Sequence, residues 1–210
     1  MFRYARQAFL SLTLACVTFA FGIWIGLPRN LAWRQVVVSY LMSSTLNPRG
    51  HLYTASGLVL CTCFLVPVGG RFRYAFPRNW AMLFAVIFFV IGVGALAFDG
   101  MLSFVMDNLG DFHDDVTGIS LLCILLSMLL YLSQVAFTGQ GNARRVAAAM
   151  TLSLLILIAL LFHVFLQPDY VNSDDGTSIW HALAAWEWSV ITYIAVSLFV
   201  LILFSTQYRK

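Results

Sequence analysis

Long runs of apolar residues, each followed by a polar segment, repeat along the chain. An α-helix needs roughly 20 consecutive apolar residues to cross the ~30 Å hydrocarbon layer of a bilayer. Six runs approach this length, and they predict spans at about 8–28, 51–68, 80–99, 115–137, 145–167 and 183–206. The pattern therefore predicts an all-α, polytopic integral membrane protein in which residues 1–210 form a single domain of six transmembrane helices.

The first run is predicted to be a retained signal anchor. A cleaved secretory signal has a shorter apolar core and a cleavage site of small residues. Trp24 and Ile25 occupy the position where such a site would lie. In the long loop that follows, residues 36–38 and Leu41-Met42 are apolar enough to enter the membrane interface.

Composition supports the membrane assignment, since 61% of the residues are hydrophobic, only 10% are charged, and the mean hydropathy is +0.87. In a soluble domain about a quarter of the residues are charged. The basic residues occur in twos and threes and form no single basic face, so we expect no nucleic-acid partner. Membrane lipids are the expected partners, with another membrane protein as the alternative, in either the plasma membrane or an endomembrane.

The distribution of basic residues predicts the orientation, because Lys and Arg concentrate in cytoplasmic loops. With a cytosolic N-terminus, nine of the twelve basic residues lie on the cytosolic side and three lie outside. Both the N- and C-termini are therefore predicted to be cytosolic. The nine are Arg3, Arg6, Arg71, Arg73, Arg78, Arg144, Arg145, Arg209 and Lys210, and the three are Arg29, Arg34 and Arg49.

The acidic residues and histidines lie at the predicted outer surface, opposite most of the basic residues. They were not used to predict the orientation. All nine carboxylates and all four histidines fall on or near the predicted outer ends of the spans. An ionisable side chain within a span is costly unless it meets a partner or reaches water, and it marks a candidate functional site. The candidate ligand-binding residues are His113, Asp114, His163, His181 and Glu187.

Glu187 is predicted to lie about one turn inside the outer boundary of the sixth span. His163 lies at a similar depth near the end of the fifth span, which precedes the sixth and runs antiparallel to it. A hydrogen bond between the two side chains would offset their desolvation. Two interpretations stay open: a structural pair that joins two helices, or part of a site that also includes His181.

His113 is followed by two carboxylates, Asp114 and Asp115. These aspartates are predicted to cap the fourth span by accepting hydrogen bonds from its first N–H groups. The functional alternative places His113 and an aspartate in the same outer cavity as His181 and Glu187. Imidazole and carboxylate also bind metals, but the sequence has no HxxxH or HExxH spacing, and we expect no metal and no cofactor.

The four cysteines, Cys16, Cys61, Cys63 and Cys123, all lie within apolar runs. No two of them have the CxxC spacing of a redox or zinc motif. They are interpreted as small buried residues, and no structural disulfide is expected.

Three short motifs lie in or near the predicted outer segments. Residues 39–48 run from a serine to a proline before the second span, residues 113–118 read HDDVTG at the start of the fourth, and His181 precedes Glu187-Trp188 in the sixth. In topology and in these motifs the chain resembles the Frag/DRAM/Sfk family of six-span membrane proteins, which is related to the GPI-anchor lipid-remodelling proteins. The resemblance implies a role in membrane-lipid organisation or lipid remodelling.

Three functions are compatible with the sequence. The first is a membrane protein that binds a lipid head group or a partner at its outer polar cluster. The second is a lipid-modifying enzyme, an acyl or ceramide transferase or hydrolase, in which His113 or His181 acts as the base and Glu187 orients it. The third is an assembly subunit of a larger membrane complex, with the polar cluster as its docking surface.

Overall fold

The computed structural model describes residues 2–28, 38–75, 79–106, 110–165 and 176–205. Within these ranges the chain forms seven α-helices and no strand. Six of the helices are long, and the remaining one is a short helix in the first loop. In chain order they are α1 (Phe2–Gly26), α2 (Val38–Met42), α3 (His51–Ala75), α4 (Trp80–Leu102), α5 (Gly110–Thr138), α6 (Gly141–Phe165) and α7 (Gly176–Ser205).

The six long helices confirm the predicted number of spans. Each contains a segment of 18 to 24 residues that is long and apolar enough to cross a membrane, as in a multi-pass membrane protein. Four helices extend at least five residues beyond the predicted spans, because α1 begins at Phe2, α3 continues past Pro67 to Ala75, α5 begins at Gly110 and α7 begins at Gly176. Hydropathy indicates where a chain leaves the hydrocarbon layer, whereas the backbone hydrogen bonds of a helix continue beyond that level.

Small residues bring the helices together in two close pairs. A Cβ atom on Gly22 of α1 would lie 2.7 Å from the Cα atom of Gly57 of α3, so the two backbones touch at this crossing. Between α5 and α4, the Ser120 hydroxyl donates to the Gly92 carbonyl at 2.7 Å and the Ser127 hydroxyl donates to the Ala85 carbonyl at 2.8 Å. Close backbone approach and interhelical hydrogen bonds are the means by which helices associate within lipid.

The short helix α2 packs against one end of the bundle. Helices α1 and α4 end there, and α3 and α5 begin there; this end contains Asp99 and is called the Asp99 end below. Val38, Leu41 and Met42 of α2 are buried in an apolar cluster with Ile23 and Leu58. The Asn47 side chain donates hydrogen bonds to the Gly26 and Leu41 carbonyls at 2.8 and 2.9 Å. Residues 38–47 are therefore folded onto the bundle, and Leu41 and Met42 are buried in protein. Their predicted entry into the membrane interface stays a prediction.

A larger apolar cluster joins α1, α3, α4, α5, α6 and α7 over the rest of the bundle. Helix α7 contacts α6 through the Tyr193 hydroxyl, which donates to the Met150 carbonyl and also hydrogen-bonds the Ser153 hydroxyl at 3.2 Å. At the level of the Asp99 end, α7 instead faces α1 and α2 through Trp188 and Ile191. An internal cavity lies between the two clusters, since residues of both line it.

Candidate functional site

Asp99 and His113 form a buried pair where α4 ends and α5 begins. His113 Nδ1 and Asp99 Oδ1 lie 2.6 Å apart, and only 4% of His113 and 0% of Asp99 are exposed. Thr117, one helical turn after His113, donates from its hydroxyl to Asp99 Oδ2 at 3.2 Å. Both carboxylate oxygens of Asp99 are therefore hydrogen-bonded to side chains of α5.

The pair is assembled by the connection between the two helices. Asp99 lies in the last turn of α4 and His113 in the first turn of α5, and these turns meet because the helices are consecutive. An ionised carboxylate is only an acceptor, so the hydrogen-bonded Nδ1 atom carries a proton. Removing either partner would take a hydrogen bond from the other in a buried position.

Glu187 is the third ionisable group at this end of the bundle. Its Oε2 atom accepts a hydrogen bond from the backbone N–H of Val38, the first residue of α2, at 2.9 Å. The carboxylate also interacts electrostatically with His113. Glu187 thus connects the loop helix to α7 and belongs to the same electrostatic environment as the Asp99–His113 pair.

All four side chains, Asp99, His113, Thr117 and Glu187, line the internal cavity and are called the polar cluster below. The cavity has a volume of about 130 Å³, and the rest of its lining is almost wholly apolar. Along α7 the lining extends from Glu187 to Leu198, which at 1.5 Å per residue places these two ends about 17 Å apart. The cavity is therefore amphipathic, with a polar end at the Asp99 end of the bundle and an apolar interior.

The structure brings two of the five predicted site residues, His113 and Glu187, to one cavity. His163 and His181 belong to the backbone of α6 and α7, but their side chains and that of Asp114 lie outside the described part of the chain. The expected His163–Glu187 contact therefore stays a prediction. The capping of the fourth span by Asp114 and Asp115 was wrong, because α5 begins at Gly110 and both residues lie within the helix.

Sequence reasoning missed Asp99 and Thr117 as members of the site. Asp99 was counted only as one of the outer carboxylates, yet it lies within the apolar segment Trp80–Leu102. A carboxylate inside such a segment is itself a signal of a functional site with a partner. Thr117 carries no such signal, because a hydroxyl in a membrane helix commonly bonds to its own backbone.

The cysteines and the other possible metal ligands form no second candidate site in the described residues. All four cysteines are free. No group of three or more His, Cys, Asp or Glu side chains in the described ranges is placed to hold a metal ion. Comparisons of the chain with protein-family models, with curated proteins and with solved structures find no match. The geometry of the polar cluster is thus the basis for a functional proposal.

Proposed function

We propose that this chain is a multi-pass membrane protein, with both termini cytosolic, that binds the head group of a membrane lipid in its polar cluster. The observation that carries the proposal is the position of Asp99, His113, Thr117 and Glu187 at one end of an otherwise apolar internal cavity. The nine-to-three distribution of basic residues supports an outer location for that end. The resemblance to the Frag/DRAM/Sfk family agrees with a role in lipid organisation.

The chemistry of the cavity suits a ligand with one polar end and one hydrocarbon end. Binding sites are typically apolar with a few polar groups that fix orientation. A cavity of about 130 Å³ is close to the ~150 Å³ of an apolar cavity that holds benzene, so it accommodates part of an acyl chain rather than a whole lipid. The carboxylates of Asp99 and Glu187 are acceptors, so a head group with ammonium or hydroxyl donors would complement them.

A purely structural role for the polar cluster is the alternative to ligand binding. In that interpretation the Asp99–His113 pair joins α4 to α5, and Glu187 fixes α2 to α7. Such contacts need no cavity beside them. Glu187 favours the ligand interpretation, because its side chain lines the cavity and the hydrogen bond from Val38 uses only its Oε2 atom. A head-group donor would bond to the Oε1 atom.

Mass spectrometry of the protein purified in mild detergent tests the proposal. We expect one class of intact lipid to stay bound through detergent exchange and to be displaced by an excess of the same lipid. A preparation free of bound lipid that still retains its helical fold would contradict lipid binding. A stoichiometric protein partner in place of lipid would favour the assembly-subunit function instead.

A lipid-modifying enzyme is the second candidate, and the 2.6 Å Asp99–His113 contact favours it. With the Nδ1 proton held by Asp99, the Nε2 atom of a neutral ring is the basic nitrogen. In a hydrolase, Nε2 would take a proton from a water that attacks a lipid ester or amide carbonyl, and would return it to the leaving alcohol or amine. The orienting carboxylate would then be Asp99 rather than Glu187, which the sequence suggested.

The two candidate functions differ in what happens to the bound lipid. An enzyme converts lipid supplied in vesicles into a product of different mass, and replacing His113 by Gln should stop the conversion. A binding protein leaves the lipid species of the vesicles unchanged over the same incubation. The exposed Asp115 offers a matched control, because Asp115→Asn removes a carboxylate near His113 outside the polar cluster.

A further inference from the structure

A groove between α1 and α7 lies next to the internal cavity. It has a volume of about 660 Å³, and its lining includes Phe19, Ile23 and Trp24 of α1 and Trp188, Ile191 and Phe199 of α7. Trp24 is 81% exposed, so this surface of α1 faces outward from the bundle. In a membrane the groove would be open to the acyl chains of the surrounding lipid.

The groove and the cavity share part of their lining. Cys16 and Phe19 of α1 and Ile191 and Ala195 of α7 line both spaces. The rings of Phe19 and Trp188 pack across the same interface with centroids 6.4 Å apart. Trp188 follows Glu187 directly, and Trp188 lines the groove whereas Glu187 lines the cavity.

Two other close interfaces of the bundle are held by backbone contacts or by hydrogen bonds to the backbone. Helices α1 and α3 touch at Gly22 and Gly57, and Ser120 and Ser127 bond α5 to the backbone of α4. At the α1–α7 interface the described contacts are made by side chains, including the Phe9–Phe199 ring pair. Rotamer changes of such side chains open a gap without displacing a helix.

The size and chemistry of the groove match one lipid chain. The lining covers residues 16–27, in and directly after α1, and residues 188–199 of α7, and each stripe is about 17 Å long at 1.5 Å per residue. Half of the ~30 Å hydrocarbon layer, the depth of one leaflet, has nearly this length. The groove therefore spans about one leaflet and begins at the level of the polar cluster.

We propose that the α1–α7 interface is a lateral portal through which one acyl chain of a membrane lipid passes from the bilayer into the internal cavity. The chain enters between Phe19 and Ala195, and the head group passes Trp188 to reach Glu187. This inference rests on the proposed lipid-binding function, to which it adds the route and the leaflet. Movement from leaflet to site avoids transfer of the acyl chain through water.

Photocrosslinking tests the portal. The full chain is reconstituted in vesicles with phosphatidylethanolamine that carries a diazirine in the middle of one acyl chain, and crosslinked residues are mapped by peptide mass spectrometry. We expect crosslinks at Leu58, Cys61 and Ile124, which line the cavity but not the groove. Crosslinks at the exposed Leu152 and Ile156 of α6 measure contact with bulk lipid.

Two alanine-to-phenylalanine substitutions distinguish blocking of the portal from the general effect of adding a ring to the protein. Ala195→Phe fills the interface and should abolish crosslinks at Leu58, Cys61 and Ile124. Ala159→Phe adds the same ring at an exposed position of α6 and should leave them unchanged. Trp188→Ala opens the interface and should increase them, which supports the portal even where Ala195→Phe folds poorly.

The outcomes distinguish the portal from the function on which it rests. If cavity residues crosslink equally in the wild type, in Ala195→Phe and in Trp188→Ala, the portal is contradicted while lipid binding stands. If the wild type gives crosslinks only at outward-facing residues and no lipid survives detergent exchange, lipid binding itself fails. If lipid survives detergent exchange but no cavity residue crosslinks, the acyl chain stays outside the bundle and the portal is again contradicted.

Discussion

The Nδ1 atom of His113 lies 2.6 Å from a carboxylate oxygen of Asp99, and both side chains are almost completely buried. Asp99 lies within a helix that is otherwise strongly apolar. Each of the two groups would be costly in this position without the other. Their pairing leaves an imidazole with a fixed ring orientation at the edge of an apolar cavity, which is the chemical feature that distinguishes this bundle.

The Asp99–His113 pair should behave as a coupled unit in stability measurements. Replacing Asp99 or His113 alone by Leu removes their buried hydrogen bond but keeps the other polar group, and should lower the free energy of unfolding by about 3–5 kcal/mol. The double replacement should cost less than the sum of the two, since each single replacement already removes the same contact. Thermal unfolding in detergent measures both effects. Additive losses in the double variant would show that the two side chains do not depend on each other.

The crossing of α1 and α3 should be intolerant of any side chain at Gly22. A Cβ atom there would lie 2.7 Å from the Gly57 Cα atom and 2.8 Å from the Tyr53 carbonyl oxygen, both of which are backbone atoms. Gly22→Ala should therefore destabilise the fold by about 1–3 kcal/mol. Gly94→Ala is the matched control, because no atom lies within 4 Å of its added Cβ. Equal melting temperatures for the two variants would contradict the close crossing.

The topology predicted from the basic residues can be tested separately from the site. In a variant without the four native cysteines, Gly176→Cys should react with a membrane-impermeant maleimide added outside the cell. Gly139→Cys, in the connection between α5 and α6, should react only after the membrane is permeabilised. Labelling of the Gly139→Cys protein in intact cells would reverse the orientation and move the polar cluster to the cytosolic side.

The sequence predicted the six spans because span number depends on the length and apolarity of continuous segments, which are local properties. It also predicted that the acidic residues and histidines, among them His113 and Glu187, lie at one end of the helix bundle. It did not predict Asp99 as the partner of His113, and the predicted partner of Glu187, His163, stays untested. In the described residues Glu187 bonds the backbone N–H of Val38, which any residue type except proline supplies, so no sequence pattern marks it.

The pairing of Asp99 with His113 could not be predicted from the sequence for a different reason. Its carboxylate points at His113 only because of the rotational position of the last turn of α4 relative to the first turn of α5. That relation depends on where α5 begins, and the first apolar residues of the fourth run placed the start near residue 115 rather than Gly110. Helix ends outside the hydrocarbon layer are set by hydrogen bonds and loop geometry, which hydropathy does not describe.

The most direct test of lipid binding is the amount of lipid that stays bound to the Glu187→Gln variant, measured by native mass spectrometry beside its melting temperature. An amide oxygen still accepts the Val38 N–H, so the link between α2 and α7 and the melting temperature should be preserved. The charged hydrogen bond to the head group is lost, and about 1.5–3 kcal/mol of binding free energy with it, so bound lipid should fall roughly tenfold or more. A Glu187→Gln protein that retains its lipid at the wild-type ratio would show that Glu187 only anchors the loop helix, and would contradict the account.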